Sequence, residues 1–208
     1  MINTNPKMVK DFFEMSQQNI VIDTTRKDLL VKIANKIAAN YNNGNVNINF
    51  ICTHNSRRSQ LGQVWSFFAA DYFNLPINAF SGGTEVTAFH RNTVKTLTEV
   101  GFKFDVVEFS HTNPKYNISF DKNKPSLLGF SKIYDDHENK TPYFVLTTCN
   151  SADENCPFIP EAIDRFHVPY IDPKHADGSD LQDETYLKTS EIIAAEMFYL
   201  FNEVKTLL

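Results

Sequence analysis

One segment of the sequence combines a nucleophile with groups that bind anions. Residues 52–59 read Cys-Thr-His-Asn-Ser-Arg-Arg-Ser, so five residues separate Cys52 from Arg58. A loop that curls over a helix start points backbone N–H groups inward, and the helix dipole adds positive potential. Arg58 can bind two oxygens of a tetrahedral oxyanion with its planar guanidinium. The predicted oxyanion-binding residues are therefore Thr53, His54, Asn55, Ser56, Arg57, Arg58 and Ser59.

Cys52 is the candidate nucleophile of this loop. The positive potential favours its thiolate form, and Ser59 can donate a hydrogen bond to that thiolate. Asn55 is suited to a loop position with a left-handed backbone. A buried, unreactive thiol is the ordinary interpretation of an isolated cysteine. The position of Cys52 between a strand-like segment and an amphipathic helix that contains Trp65 favours a nucleophile instead.

The other two cysteines form a second chemical element. Cys149 and Cys156 follow the apolar run 143–148 and are separated by the six residues NSADEN. A zinc site would need closer pairs and more ligands, so we predict no metal. A pair at this spacing suits stepwise thiol–disulfide exchange, with chance spacing as the alternative. NSADEN is polar and lacks bulky side chains, which predicts a loop that lets the two sulfurs meet.

Strands and helices that alternate along the chain must position these residues. Strands are predicted at 46–52, 77–83, 143–148 and 166–172, and helices from 59, at 92–100 and at 189–208. This order predicts an α/β protein with a parallel sheet. Residues 1–45 are predicted as an N-terminal extension of two helices, and residues 46–208 as the main domain. Residues 112–141 show neither the hydrophobic period of a helix nor that of a strand. They are predicted as an insertion, either a functional lid or a solvated loop.

Composition limits the remaining classes of function. The 208 residues carry a net charge of −5, which argues against nucleic acid as a partner. No run approaches the ~18 apolar residues of a membrane helix, so no membrane partner is predicted. The first residues lack the basic-then-apolar order of a signal peptide. Three cysteines are too few for a disulfide scaffold, so a reducing, cytoplasmic location is expected.

The loop at 52–59 resembles the signature loop of the low-molecular-weight protein tyrosine phosphatases. It also resembles that of the thioredoxin-coupled arsenate reductases that share their fold. Residues 79–102 are similar to the second strand and helix of those reductases, and Cys149 and Cys156 to their redox pair. The resemblance covers residue 46 to the C-terminus, interrupted by the insertion, and leaves residues 1–45 unmatched. It implies a three-layer fold in which helices flank a four-stranded parallel sheet.

The resemblance also implies roles for single residues. The general acid of the family lies in an Asp-Pro step after the fourth strand, which corresponds here to Asp172. An arsenate reductase of this kind would use Cys52 as nucleophile and Cys149 and Cys156 as a thiol relay. Thioredoxin would be its reductant, and no cofactor is implied. The alternatives are a phosphatase that hydrolyses phosphate monoesters through a Cys52 phosphoenzyme, and a non-enzymatic oxyanion or redox sensor.

Several residues depart from the family pattern. His54 stands where the family commonly has glycine, and Arg57 where it has a small residue or cysteine, which adds bulk near the anion. Lys174 and His175 follow the Asp-Pro step where phosphatases commonly have tyrosines, which disfavours a tyrosine phosphatase. The reductases often bind potassium through an acidic residue after the second helix. Residues 110–114 lack one, so no metal is predicted.

Overall fold

A computed structural model describes residues 5–41, 46–155 and 158–208 of the chain. The helices are α1 (Pro6–Asn19), α2 (Thr24–Asn40), α3 (Arg58–Tyr72), α4 (Arg91–Glu99), α5 (Asn150–Asn155) and α6 (Gln182–Leu207). The strands are β1 (Val46–Cys52), β2 (Ile77–Gly83), β3 (Lys103–Glu108), β4 (Lys115–Ser119), β5 (Leu127–Gly129), β6 (Tyr143–Thr147) and β7 (Ala162–His167).

Four strands form a parallel sheet in the order β2-β1-β6-β7. All residues of the central strands β1 and β6 are buried, as expected for a parallel sheet that is covered on both faces. Helix α3 packs on β1 and β2, and α6 packs in turn on α3. The predicted fold class, a four-stranded parallel sheet flanked by helices, is confirmed.

Two elements, the fourth strand and the last helix, have boundaries that differ from the sequence-based prediction. The fourth strand, β7, ends at His167 instead of continuing to residue 172. Pro169 lacks the N–H that a paired strand needs, which explains why the strand ends before it. Because β7 lies at the edge of the sheet, polar residues are tolerated in it. Helix α6 begins at Gln182 instead of residue 189, with Asp183 and Glu184 in a polar first turn that favours the helix dipole.

The predicted NSADEN loop is wrong as well, because these residues form the short helix α5. Asp153 of this helix accepts a hydrogen bond from the Thr147 hydroxyl at 2.8 Å. The same carboxylate accepts from Arg165 of β7 at 3.1 Å. These contacts join α5 to the ends of both neighbouring strands.

The two N-terminal helices form where the sequence predicts them. Helix α2 is capped by Asp23, whose side chain accepts from the Arg26 amide. Both helices pack against α6. Phe13 of α1 stacks on Trp65 of α3 with ring centroids 5.8 Å apart. The apolar side chains of both helices therefore belong to the same hydrophobic core as α3.

The predicted insertion is neither a simple lid nor an unstructured loop. It contributes β4 and β5, which form an antiparallel sheet with β3 in the order β3-β4-β5. These strands have only five and three residues, too few to show a clear alternation of apolar and polar residues in the sequence. After β5 the chain returns to the main sheet, where Ile133 bridges Gly83 at the end of β2. Residues of this segment thus reach the same sheet edge as Cys52.

Within the three described ranges, we find no helix whose length and apolar character would let it cross a membrane.

Candidate active site

The loop between β1 and α3 lies at the carboxyl end of a central strand. Cys52 is 4% exposed, and its Sγ lies 3.1 Å from the Ser59 Oγ. Asn55 Nδ2 donates to the same Ser59 Oγ at 2.9 Å. While it accepts from Asn55, the Ser59 hydroxyl can donate its hydrogen to the sulfur of Cys52, which is the direction that a thiolate requires. The structure therefore brings the predicted nucleophile and its predicted donor into contact.

The backbone of this loop has its carbonyl groups outward. Each carbonyl from residue 52 to residue 56 accepts a hydrogen bond from a group outside the 52–59 segment or from α3. The donors are, in order, Thr84 N, Glu85 N, the hydroxyls of Thr87 and Ser131, Gln60 Nε2, and His90 N. No backbone N–H from residue 53 to residue 59 donates to an acceptor in the part of the chain that the structure describes. Free N–H groups with outward carbonyls form a nest for an anion.

Two backbone features allow this conformation. Asn55 has φ +45°, the left-handed conformation that asparagine tolerates better than most residues. Gly83 lies against the loop so closely that a Cβ there would stand 2.7 Å from Thr53 O and 2.8 Å from Asn55 N. The glycine is therefore required by close approach of the two backbones.

Arg58 begins α3 and its guanidinium points toward the loop after β7. Its Nη1 donates to Tyr170 O at 3.0 Å and its Nη2 to Asp172 Oδ2 at 2.7 Å. Its Nε is buried and has no hydrogen-bond partner among residues 5–41, 46–155 and 158–208. A buried donor without a partner beside seven free amides is what an oxyanion site requires.

Asp172 lies beyond β7 and caps the 3-10 turn Pro173–Ala176. Its Oδ1 accepts from Lys174 N at 3.0 Å, while Oδ2 is held by Arg58. The side chain is 32% exposed. The candidate acid and the candidate anion-binding arginine are therefore in direct contact at the rim of the loop.

Cys149 lies at the end of β6, the strand beside β1. Ile51 is paired with Thr147, and Thr148 N donates to Ile51 O at 2.7 Å. Cys149 is 5% exposed, and its Sγ lies 3.5 Å from the Thr53 Oγ1. It shares a small apolar cluster with Cys52. Cys156 lies outside the described residues.

The side chain of Arg57 binds groups outside the 52–59 loop. Its Nε donates to Tyr186 OH at 2.8 Å, and its Nη2 lies 3.3 Å from Asp177 Oδ2. Burial, and then the hydrogen bond to Asp177, raise the pKa of Tyr186 to about 12. Burial acts to raise the pKa of Asp177, but its contacts with Tyr186, Arg57 and His90 outweigh burial and lower it.

His90 completes this network and was not singled out in the sequence. It caps α4, stacks on Tyr186 with ring centroids 5.8 Å apart, and has its pKa lowered by burial and by the Arg57 charge. No sequence signal pointed to Asp177, because an Asp-Gly step ordinarily indicates only a turn. His54, by contrast, is half exposed and lies 3.4 Å from the Glu85 carboxylate.

The outer side of the loop borders an open cavity of about 860 Å³. Basic side chains from the loop, from the cap of α4 and from the turn after Asp172 line part of its wall. They are His54, Arg57, His90 and Lys174. For the described part of the chain, no three His, Cys, Asp or Glu side chains are grouped so that they could hold a metal ion.

A second network lies behind Arg58 and joins it to the N-terminal helices. Arg26 of α2 donates to Pro169 O at 2.6 Å, and its Nε lies 3.2 Å from Glu196. Tyr170 OH donates to the same carboxylate at 2.7 Å. Burial raises the pKa of Glu196, and Arg26 and Tyr170 counteract it only in part. This network holds the backbone segment that positions Arg58, and no sequence pattern indicated it.

The chain is similar in sequence to arsenate reductases and in fold to low-molecular-weight phosphatase structures. No family model matches the chain. An arsenate reductase of Staphylococcus xylosus is 28% identical over 135 residues, which cover 65% of this chain and 84% of the relative. The structure of a YwlE mutant from Bacillus subtilis matches with a TM-score of 0.50 and 16% identity, over 77% of this chain and 99% of that one. A low-molecular-weight protein tyrosine phosphatase from T. tengcongensis has a TM-score of 0.48 and 17% identity, over 78% and 99%.

Proposed function

We propose that this member of the low-molecular-weight phosphatase superfamily, which is similar in sequence to arsenate reductases, reduces arsenate to arsenite. The position of Cys149 carries the proposal. A buried thiol 3.5 Å from Thr53, at the end of the strand beside that of Cys52, lies where a second sulfur is needed. Ester hydrolysis through Cys52 would use no second thiol.

The first step makes a sulfur–arsenic bond. Arsenate binds to the free amides 53–59 and to the unpaired Nε of Arg58. The thiolate of Cys52 attacks arsenic, the bond from arsenic to one hydroxyl breaks, and the departing oxygen takes a proton from Asp172 to leave as water. Arsenic stays in its pentavalent state, so this step transfers no net electrons.

The second step is the reduction. The Cys149 thiolate attacks the Cys52 sulfur, the sulfur–arsenic bond breaks, and its electron pair stays on arsenic, which leaves as arsenite. Cys156 then attacks Cys149, which frees the Cys52 thiolate and leaves a Cys149–Cys156 disulfide. Thioredoxin, as a dithiol, would reduce that disulfide. The sum is arsenate plus a dithiol giving arsenite, a disulfide and water.

The relay brings Cys149 into contact first with Cys52 and then with Cys156, so we expect the segment between the two cysteines of the pair to move during the cycle. Residues 150–155 form a helix of only six residues. A helix this short is only marginally stable by itself, so its opening costs little.

One experiment tests the proposal with two variants. Wild type should oxidise thioredoxin only when arsenate is present, and Cys149→Ser should not. Cys156→Ser should complete one turnover and accumulate a Cys52–Cys149 disulfide, detected by mass spectrometry of a digest. Sustained thioredoxin-dependent turnover by either variant would refute the relay.

A phosphatase is the second candidate, because the cavity of about 860 Å³ beside the loop has room for an organic leaving group. Hydrolysis of an aryl phosphate should then be unaffected in Cys149→Ser. Robust hydrolysis by wild type without any arsenate turnover would favour this candidate.

The proposal also includes the cellular compartment of the enzyme and the division of its chain. A reduced thiol pair requires a reducing compartment, which is consistent with the cytoplasm. The catalytic unit would comprise residues 46–208, with residues 112–141 as an insertion and residues 1–45 as a helical extension.

A further inference from the structure

The segment that follows β5 lies against the outside of the anion loop. Ser131 is 1% exposed, and its hydroxyl donates to His54 O at 2.9 Å while accepting from Thr87 N at 2.9 Å. The next residue, Lys132, donates its amide to Asn55 Oδ1 at 2.9 Å. The inserted segment therefore holds the loop at the left-handed residue Asn55 and at His54 just before it.

The hydrogen bond to His54 O also fixes the orientation of the peptide unit between His54 and Asn55. The carbonyl of His54 and the N–H of Asn55 belong to one planar trans unit and point in opposite directions. Holding His54 O outward thus holds the Asn55 N–H inward, toward the anion. Rotation of this unit would replace a donor with a carbonyl oxygen, which repels an oxyanion.

We infer that Ser131 is a positioning residue that locks the Asn55 amide toward the oxyanion, and that the inserted segment supplies this lock. The inference rests on the oxyanion site of the proposed function, whichever oxyanion is the substrate. Thr87 assists, because its hydroxyl donates to the same His54 O at 3.0 Å.

Ser131 is itself held from within the insertion. Asn113 Nδ2 donates to Ser131 O at 2.8 Å, and Ser131 N donates to Asn113 Oδ1 at 3.1 Å. These two bonds fix the backbone of Ser131 without using its hydroxyl. Removing the hydroxyl alone should therefore leave the segment in place, with the Thr87 hydroxyl still donating to His54 O.

The test uses inorganic phosphate as the probe in four variants of the full chain. They are Ser131→Ala, Thr87→Val, the double variant, and Ser190→Ala as the control. The control loses an equally buried hydroxyl that accepts from Trp65 Nε1 at 2.9 Å, outside the loop. Phosphate affinity is read from the concentration that protects Cys52 from alkylation.

Ser131→Ala should weaken phosphate protection about threefold to tenfold, as expected when His54 O loses one of its two hydroxyl donors. The double variant should weaken it by more than the product of the two single effects, because both hydroxyls hold one carbonyl. Ser190→Ala should leave protection unchanged. Equal protection in wild type and Ser131→Ala, or an equal loss in the Ser190→Ala control, would overturn the inference.

A second readout does not depend on anion binding. The amides of Glu85 and His90 donate to the loop carbonyls of Thr53 and Ser56, so their hydrogen exchange reports the position of the loop. Their exchange should accelerate in Ser131→Ala but not in Ser190→Ala. Unchanged exchange of these two amides in Ser131→Ala would overturn the inference that Ser131 positions the loop. Lack of phosphate protection in wild type, with accelerated exchange in Ser131→Ala, would instead count against the proposed function.

Discussion

Replacing Arg26 with methionine should destabilise the protein strongly, because it leaves a buried carboxylate without its cation. The side chain of Glu196 is 6% exposed, and its two partners are Arg26 at 3.2 Å and the Tyr170 hydroxyl at 2.7 Å. Removal of one member of a buried ion pair costs about 3–5 kcal/mol. At roughly 2–4 °C per kcal/mol for a chain of this size, the melting temperature should fall by about 6–20 °C.

The loss should depend on pH with a definite sign. Burial already raises the pKa of Glu196, and loss of the Arg26 charge raises that pKa further. The folded state of the variant then binds a proton more readily than the unfolded state, so its stability falls as pH rises above about 4.3. The difference between wild type and Arg26→Met should therefore be largest near pH 7–8 and shrink toward pH 4.

Urea unfolding at several pH values measures this difference. Lys27→Met is the matched control, because it removes an exposed cation from the same turn of α2 and should change stability by less than about 1 kcal/mol. Adding Glu196→Gln to Arg26→Met should recover most of the loss, since the amide oxygen can still accept from Tyr170. A loss below about 1 kcal/mol in Arg26→Met, or one independent of pH, would refute the reasoning.

Three further predictions concern the site. Asp172→Asn should slow the first chemical step by roughly 10²–10⁴, measured by single-turnover kinetics, and an unchanged rate would remove Asp172 from the mechanism. Phosphate and arsenate should each protect Cys52 from iodoacetamide; alkylation unaffected by either anion would contradict the nest at 53–59. Asp177→Asn should destabilise the protein at neutral pH, because contacts with Tyr186 and Arg57 lower the pKa of Asp177 in the folded state against the effect of burial. The loss should begin to shrink as the pH falls below about 4, where the carboxyl is protonated in the unfolded state first, and should vanish only below the lowered pKa of the folded state. Urea unfolding from pH 3 to 7 would show the start of this decrease.

The part of the site that lies along one stretch of chain could be predicted from the sequence. A strand that runs into Cys52 and a helix that follows Arg58 are recorded in local hydrophobic periodicity. Alternation of strands and helices predicts a parallel sheet, and a parallel sheet brings the ends of β1 and β6 to one edge. Which strand lies beside β1 was decided by the fold, and the order β2-β1-β6-β7 puts the strand of Cys149 next to that of Cys52.

The residues that hold this loop in shape were decided by tertiary structure alone. Ser131 meets His54 across 77 positions of sequence, and Arg26 meets Pro169 across 143. Arg57 binds Tyr186 and Asp177, two partners that no local pattern reveals. Periodicity records which face of an element is buried. It does not record which distant side chain will complete a hydrogen bond, because that choice depends on how the packed elements are oriented in space.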